Sequence, residues 1–518
     1  MSRRLLLLVG AAAVVAAGTA YAWTQVVDDA GPRDASAAPT TSSAVPATTV
    51  PPVTTTRAPP FQGWVDPASS GQPFPHATVE GLLTFRGNPT RSYYGEGPVP
   101  REPHKQWTYP GSAMCSESTD GEGTRSWCGT GWTGEPAVFE RGGRTWVVFG
   151  AYDRAVHFVD AATGQDIIPP FPTGDLIKGS VSIDPRGYPL VYFGSRDNYL
   201  RVVAFDRPQP TELWNLSADA VSPTMWNDDW DGSPVIIGDH LVEGGENSQF
   251  HIVELNRSYS ADGLAQVAPQ LVFNAPGWDD QLLSDLGDTD VSIESSVAIS
   301  GNTAYFANSG GLVQGWDLTG VRQGQPARRV FRFWTGDDTD ASVVVDDEGF
   351  LYVASEWERH NARATEVGQI LKLNPRHPNR PLVWSIDDQG ADVAGVWGTP
   401  ALYRDLVIVA TNGGAIKGID RRTGAVRWEF SLPGPTWQSP VVVDQVLVQG
   451  DCNGVLHAYD VSDTTVQPPE LWQIELGGCI ESTPAVWRGQ IFVGTRSGLV
   501  HAITGPPRRA PAGGCTDR

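Results

Sequence analysis

One unit of sequence recurs along this chain, and a recurring unit of this length constrains the fold before any motif is considered. It is plainest at Trp397-Gly398-Thr399-Pro400, followed by the apolar run of residues 406–410, a Gly turn at Gly413-Gly414, a stretch closing on Asp420, a Thr423-Gly424 turn, and a last stretch closing on Trp428. Short apolar runs punctuated by Gly and Thr-Gly turns read as four antiparallel strands. The unit starts again near Glu135-Pro136, Ser180-Val181, Ser233-Pro234, Ser296-Val297, Ser342-Val343, Ser439-Pro440 and Thr483-Pro484, making eight copies with the first. Successive starts are mostly 40 to 57 residues apart, the spacing of propeller blades. An insertion around residues 259–281 accounts for the longest gap. The closing aromatics Trp214, Phe273, Trp334, Trp384, Trp428 and Trp472 keep pace, the last three at intervals of 44 residues.

The eighth copy stops at Thr504 without its closing Trp. The segment Lys105-Gln106-Trp107-Thr108-Tyr109, ahead of the first copy, supplies a strand with the missing aromatic and is expected to complete the last blade. Such closure removes the exposed sheet edges of an open array. The expected fold is therefore all-β: one eight-bladed propeller of four-stranded antiparallel blades over residues 79–506. It replaces the roughly three domains that 518 residues would otherwise suggest.

Outside the repeats the sequence changes character. Arg3 and Arg4 precede an uncharged stretch from Leu5 to Trp23, and Ala20-Tyr21-Ala22 has the small-x-small form of a signal-peptidase site. Residues 1–23 are expected to direct export, either as a cleaved signal or as a retained membrane anchor. Residues 24–78 are rich in Thr, Pro, Ala and Ser and are expected to form a disordered tether, because they lack the apolar surface to offset ordering entropy. Residues 507–518 are expected to form a flexible tail. An extracytoplasmic location, anchored or secreted, also suits five cysteines. Cys115 with Cys128 makes a local staple and Cys452 with Cys479 lies near adjacent repeats, one of three connectivities open to four cysteines, with Cys515 left over.

With 37 basic and 59 acidic residues the net charge is −22, which argues against nucleic acid or an anionic membrane surface as partner. No G-x-x-x-x-G-K-[ST], H-E-x-x-H or G-x-S-x-G occurs, and nine His residues show no spaced pair. Gly129 to Gly134 matches G-x-G-x-x-G but leads into a strand instead of a helix. Asn227-Asp228-Asp229-Trp230-Asp231-Gly232 resembles half an EF-hand loop, with Gly238 where the bidentate Glu belongs.

The Thr-Gly-x-x-x-Trp blade ending, the Ser/Thr-Pro blade start, the lead-in Phe85-Arg86-Gly87-Asn88-Pro89-Thr90-Arg91 and the count of eight resemble the quinoprotein, or PQQ-like repeat, propeller superfamily. The resemblance covers about residues 79–504. It implies the fold more than the function, since the superfamily includes PQQ-dependent alcohol dehydrogenases and cofactor-free members such as a barrel-assembly lipoprotein. The adjacent-cysteine disulfide and C-x-x-C-H of the family's dehydrogenases are absent here, which places the chain closer to the cofactor-free members. PQQ is disfavoured.

Aligning the blade starts gives a column where each innermost strand enters the central channel: Thr133, Lys178, Asp231, Glu294, Asp340, Trp397, Trp437 and Glu481. Carboxylates converging on one axis must either hold protons or share a cation. Asp231, Glu294 and Asp340 are the candidate metal ligands, with Ca²⁺ the ion they suit and no cofactor assigned. Lys178 is a candidate internal counter-charge, and Trp397 and Trp437 a candidate stacking wall. No catalytic residue is assigned. The expected function is an exported, tethered, monomeric binding or assembly scaffold with an acidic axial face for a protein, glycan or cation. A PQQ- and Ca²⁺-dependent dehydrogenase is the alternative.

Overall fold

The computed structural model describes residues 61–120, 123–131, 134–390 and 393–506. Residues 1–60, with the expected export segment, and the tail from 507 lie outside them. Among the described residues no helix is long and apolar enough to cross a membrane.

Eight sheets form the ring, as the repeats require. Blade 6 shows the pattern: Ala401–Tyr403, Leu406–Ala410, Ala415–Asp420 and Val426–Ser431 pair in sequence order, each antiparallel to the next. First strands of neighbouring blades meet around the axis. Apolar residues of the second and third strands fill the seams between blades.

The closing aromatic and the Thr-Gly turn belong to one joint. Trp384 of blade 5 donates its Nε1 to Arg421 O of blade 6 at 3.0 Å. A Cβ on Gly424 would lie 2.8 Å from that indole, so the turn needs glycine both for this approach and for its φ of 76°. Blade 8 obtains the same joint from the N-terminal segment. His104–Tyr109 pairs antiparallel with Leu499–Thr504, with Trp107 opposite Ala502. Trp107 Nε1 donates to Ala161 O of blade 1 at 2.8 Å, and its ring lies against Gly164. The expected closure is therefore present, bulge included. In blades 2 to 8 the outer strand pair shifts register by one residue beside an aromatic, as at Trp428 and Trp472; in blade 4 that aromatic is Phe331, and the expected Trp334 pairs with Leu312 three residues further on.

The Ser/Thr at the blade starts forms a second joint. The backbone N–H of Ser296 donates to Ser342 Oγ (2.9 Å), Ser342 N–H to Thr399 Oγ1 (3.0 Å), and Thr399 N–H to Ser439 Oγ (2.9 Å). Glu135 N–H to Ser180 Oγ and Ser233 N–H to Ser296 Oγ continue this belt of hydroxyls around the channel. A buried N–H needs an acceptor, and a short hydroxyl on the next blade supplies it. Blade 1 carries Glu135 at the belt position.

One expectation is corrected. Residues 61–78, expected as the end of the tether, pack on the ring: Trp64, Val65 and Phe74 are buried, and Trp64 Nε1 donates to Leu318 O at 2.9 Å. The ordered domain starts earlier because three large apolar side chains interrupt the Pro/Ser-rich composition. The lead-in loop, in turn, is a plug as well as a preface to the closing strand. Gly81-Leu82 pairs with blade 1 and Gly95-Glu96 with blade 8. Between them Leu83 O accepts from Ile183 N, Pro89 O from Ile299 N and Thr90 O from Val345 N. Buried Arg91 donates to Val297 O and Ser233 O, and buried Arg86 to Pro400 O and Pro440 O. The loop thus touches the first strand of every blade and seals one end of the axis.

Candidate functional site

The other end of the axis, where the first strands begin, carries the expected column. Lys178 of blade 2 donates its Nζ to Asp231 Oδ2 and, at 3.2 Å, to Glu246 Oε1, and lies 4.0 Å from Asp229 Oδ2. All three acids are buried. Their ligand oxygens lie within 4.8 Å of one another. The half-loop at residues 227–232 therefore does converge its aspartates, but on an ammonium, with Glu246 arriving from the loop after the second strand of the same blade. Arg196 Nε holds Asp229 Oδ2 at 2.5 Å from the outer side.

The remaining acids form a second group. Asp338, Asp340 and Glu356 of blade 5 also bring oxygens within 4.8 Å of one another. Glu294 of blade 4 accepts from Ser292 Oγ at 2.9 Å; Ser309 Oγ lies within bonding reach of both Glu294 (3.4 Å) and Asp340 (3.3 Å). The trio Asp231, Glu294 and Asp340 is thus divided: Asp231 belongs to the blade 3 triad, Asp340 to the blade 5 triad, and Glu294 stands next to the latter. Trp397 Nε1 donates to Asp340 Oδ2 at 3.0 Å. The expected flat wall is instead an edge-to-face pair, with Trp397 and Trp437 centroids 5.9 Å apart at 84°. Glu481 lies on the far rim, 3.8 Å from Arg496. Thr133 lies outside the described residues.

Electrostatics separates the two triads. Burial alone would raise Glu246, but Lys178 and hydrogen bonds from Asp231 and Asn227 hold it below the usual carboxylate range. Burial raises Asp231 despite Lys178. In the second group burial and mutual repulsion hold Glu294, Asp338 and Glu356 well above that range, and Asp340 is raised as well. Lys178 pulls Glu294 and Asp340 the other way without offsetting their burial. Arg359, near Asp338, is spent on Asp288 (2.7 Å) and Asp290 (2.9 Å).

Sequence reasoning missed three features. Glu246 and Glu356 each follow the second strand by two residues, a column that aligning second-strand ends would have shown. His157, His251, His457 and His501 occupy one third-strand position in four blades, each opposite the penultimate or equivalent residue of the second strand. The glycines of Gly129-Thr130-Gly131 are needed where chain crosses chain: a Cβ on Gly131 would sit 1.9 Å from Lys178 O. The expected disulfides Cys115–Cys128 and Cys452–Cys479 are both formed. Cys452–Cys479 takes the same place between blades 7 and 8 that Arg196–Asp229 takes between blades 2 and 3.

A ring of eight four-stranded blades, joined by Trp on Thr-Gly and closed by an N-terminal strand, is an eight-bladed propeller of the PQQ-like repeat type, as expected. Residues 368–505 match the family model for outer membrane protein assembly factor BamB. The curated BamB of Moranella endobia (strain PCIT) is 30% identical over 105 residues, 19% of this chain and 25% of that protein. The match spans about a quarter of that relative's length. Among solved structures, BamB from Moraxella catarrhalis has a TM-score of 0.51 at 15% identity over 78% of this chain and 99% of its own. Quinohemoprotein alcohol dehydrogenase from Comamonas testosteroni has a TM-score of 0.52 at 14% identity, over 84% and 82% of the two chains. These likenesses are of fold.

Proposed function

We propose that the protein is an exported, N-terminally tethered, non-catalytic scaffold that binds a protein partner at the open, charged end of its axis. The observation that carries this reading is the asymmetry of the axis: the plug seals one end, and the carboxyl groups of the column line the other. Residues 61–78 pack beside the plug, with Asn88 Nδ2 donating to Gln72 O at 2.9 Å. The match to an assembly factor supports a protein partner, although the Ser/Thr/Pro leader differs from a lipoprotein's and the relative's own partner is not transferred. The net charge of −22 favours encounter with a basic partner surface.

The dehydrogenase alternative fits the residues poorly. PQQ is a tricarboxylate, and the clustered acids of blades 4 and 5 disfavour it. Lys178, the cation of the column, is already bound to its own triad. The disulfides join cysteines 13 and 27 residues apart, so neither forms the adjacent-cysteine ring of the family's dehydrogenases.

A photo-crosslinking residue at Trp437, on the open end, is expected to capture a protein partner in the native envelope, and one at Arg404, beside the plug, is not. Incubating the purified chain with PQQ and Ca²⁺ is expected to produce neither alcohol oxidation nor a rise in melting temperature. Turnover, or capture only from Arg404, would overturn the reading.

A further inference from the structure

The two carboxylate triads are copies of one construction. Asp229-Trp230-Asp231 and Asp338-Thr339-Asp340 hold the same place before the first strands of blades 3 and 5, and Glu246 and Glu356 follow fifteen and sixteen residues later, each two residues beyond its second strand. In the blade 3 copy the preceding blade contributes Lys178, whose ammonium sits among the three acids. In the blade 5 copy the residue at the position of Lys178, on the preceding blade 4, is Glu294. The internal copy therefore displays the ligand that this geometry takes, and the second copy replaces its internal ammonium with a fourth carboxylate.

We propose that the blade 5 triad, with Glu294, is a binding site for a primary ammonium group supplied in trans by a lysine side chain of the partner protein. The inference deepens the scaffold reading and rests on it for the source of the amine. Asp338 Oδ1 is buried without a hydrogen-bond partner, the acceptor an incoming N–H would meet. Trp397 holds Asp340 by its Nε1, and the Trp397–Trp437 pair borders the site, offering indole surface to the lysine's methylenes and cation–π attraction to its charge. Four carboxylates gathered at one point gain most from a group with three donors and a full positive charge.

The test uses the full chain, tryptophan fluorescence and calorimetry, with three probes: n-butylammonium, the peptide acetyl-Gly-Lys-Gly-amide and CaCl₂. Both amines are expected to bind; a peptide that binds no more tightly than butylammonium points to a free amine as the source and overturns the lysine assignment. Glu294→Lys, which supplies the missing internal ammonium, is expected to abolish amine binding and raise the melting temperature. Glu294→Gln is expected to weaken it about tenfold, one charge-assisted hydrogen bond, and keeps the test open if the lysine variant does not fold. Binding of Ca²⁺ with no binding of either amine, or amine affinity unchanged in both variants, overturns the proposal. Cross-linking from Trp437 is read separately: a partner captured there while both amines fail leaves the scaffold standing and removes only this site.

Discussion

Glu135 makes the stability of the ring depend on pH in a direction opposite to most carboxylates. It stands in the belt where the other blades carry Ser or Thr, only 3% exposed. Its Oε2 accepts the Arg86 N–H at 2.6 Å, and its Oε1 has no partner. Burial pushes the carboxyl from 4.5 up to about 7, although Arg86 and Arg91 pull the other way. The folded state therefore binds a proton more tightly than the unfolded chain does. Stability from this group is complete below about pH 4.5, falls as pH rises, and is lost once pH passes about 7. A carboxyl raised from 4.5 to about 7 corresponds to about 3.4 kcal/mol in full, of which about 2.5 kcal/mol is lost between pH 5 and pH 8. Glu135→Gln keeps an acceptor for Arg86 N–H and removes the titration. Urea unfolding of both proteins at pH 5, 6, 7 and 8 should show the variant gaining on the parent by about 2.5 kcal/mol across the range. A constant difference between the two, or one that shrinks with rising pH, would refute the assignment of a raised carboxyl at this joint.

Further outcomes follow from the same geometry. Lys178→Met leaves three buried acids without their ammonium and should cost about 3–5 kcal/mol at neutral pH, measured by denaturant unfolding, with part of the loss recovered at pH 5 as the acids take up protons. Ser342→Ala deprives the Ser296 N–H of its acceptor and should cost about 1–3 kcal/mol. The equivalent change at Ser126, an exposed position on the 115–128 hairpin, should fall within about 0.5 kcal/mol. Arg91→Lys replaces a fork bonded to Val297 O, Ser233 O and Phe85 O with a single ammonium, and should cost about 2–3 kcal/mol. Hydrogen exchange should then show the plug opening before the blades do.

The sequence alone determined what is periodic. Turn chemistry recurs wherever a strand must end, so the Thr-Gly turns, the closing aromatics and the Ser/Thr-Pro starts identified eight blades, and the aromatic missing from the last copy pointed to Trp107. The column from Lys178 to Glu481 was legible for the same reason, since equal positions in equal blades face one axis. Tertiary structure alone decided which of those residues meet. Lys178 chooses Asp231 and Glu246 over Glu294 because the second-strand loop of blade 3 reaches the same point, a juxtaposition that no spacing within one repeat records. The plug is another such decision: Arg86 and Arg91 are two charged residues in a polar loop until a closed ring surrounds them with backbone carbonyls from opposite sides. Periodicity specifies the wall of a channel one blade at a time, whereas the contents of the channel depend on all eight blades at once.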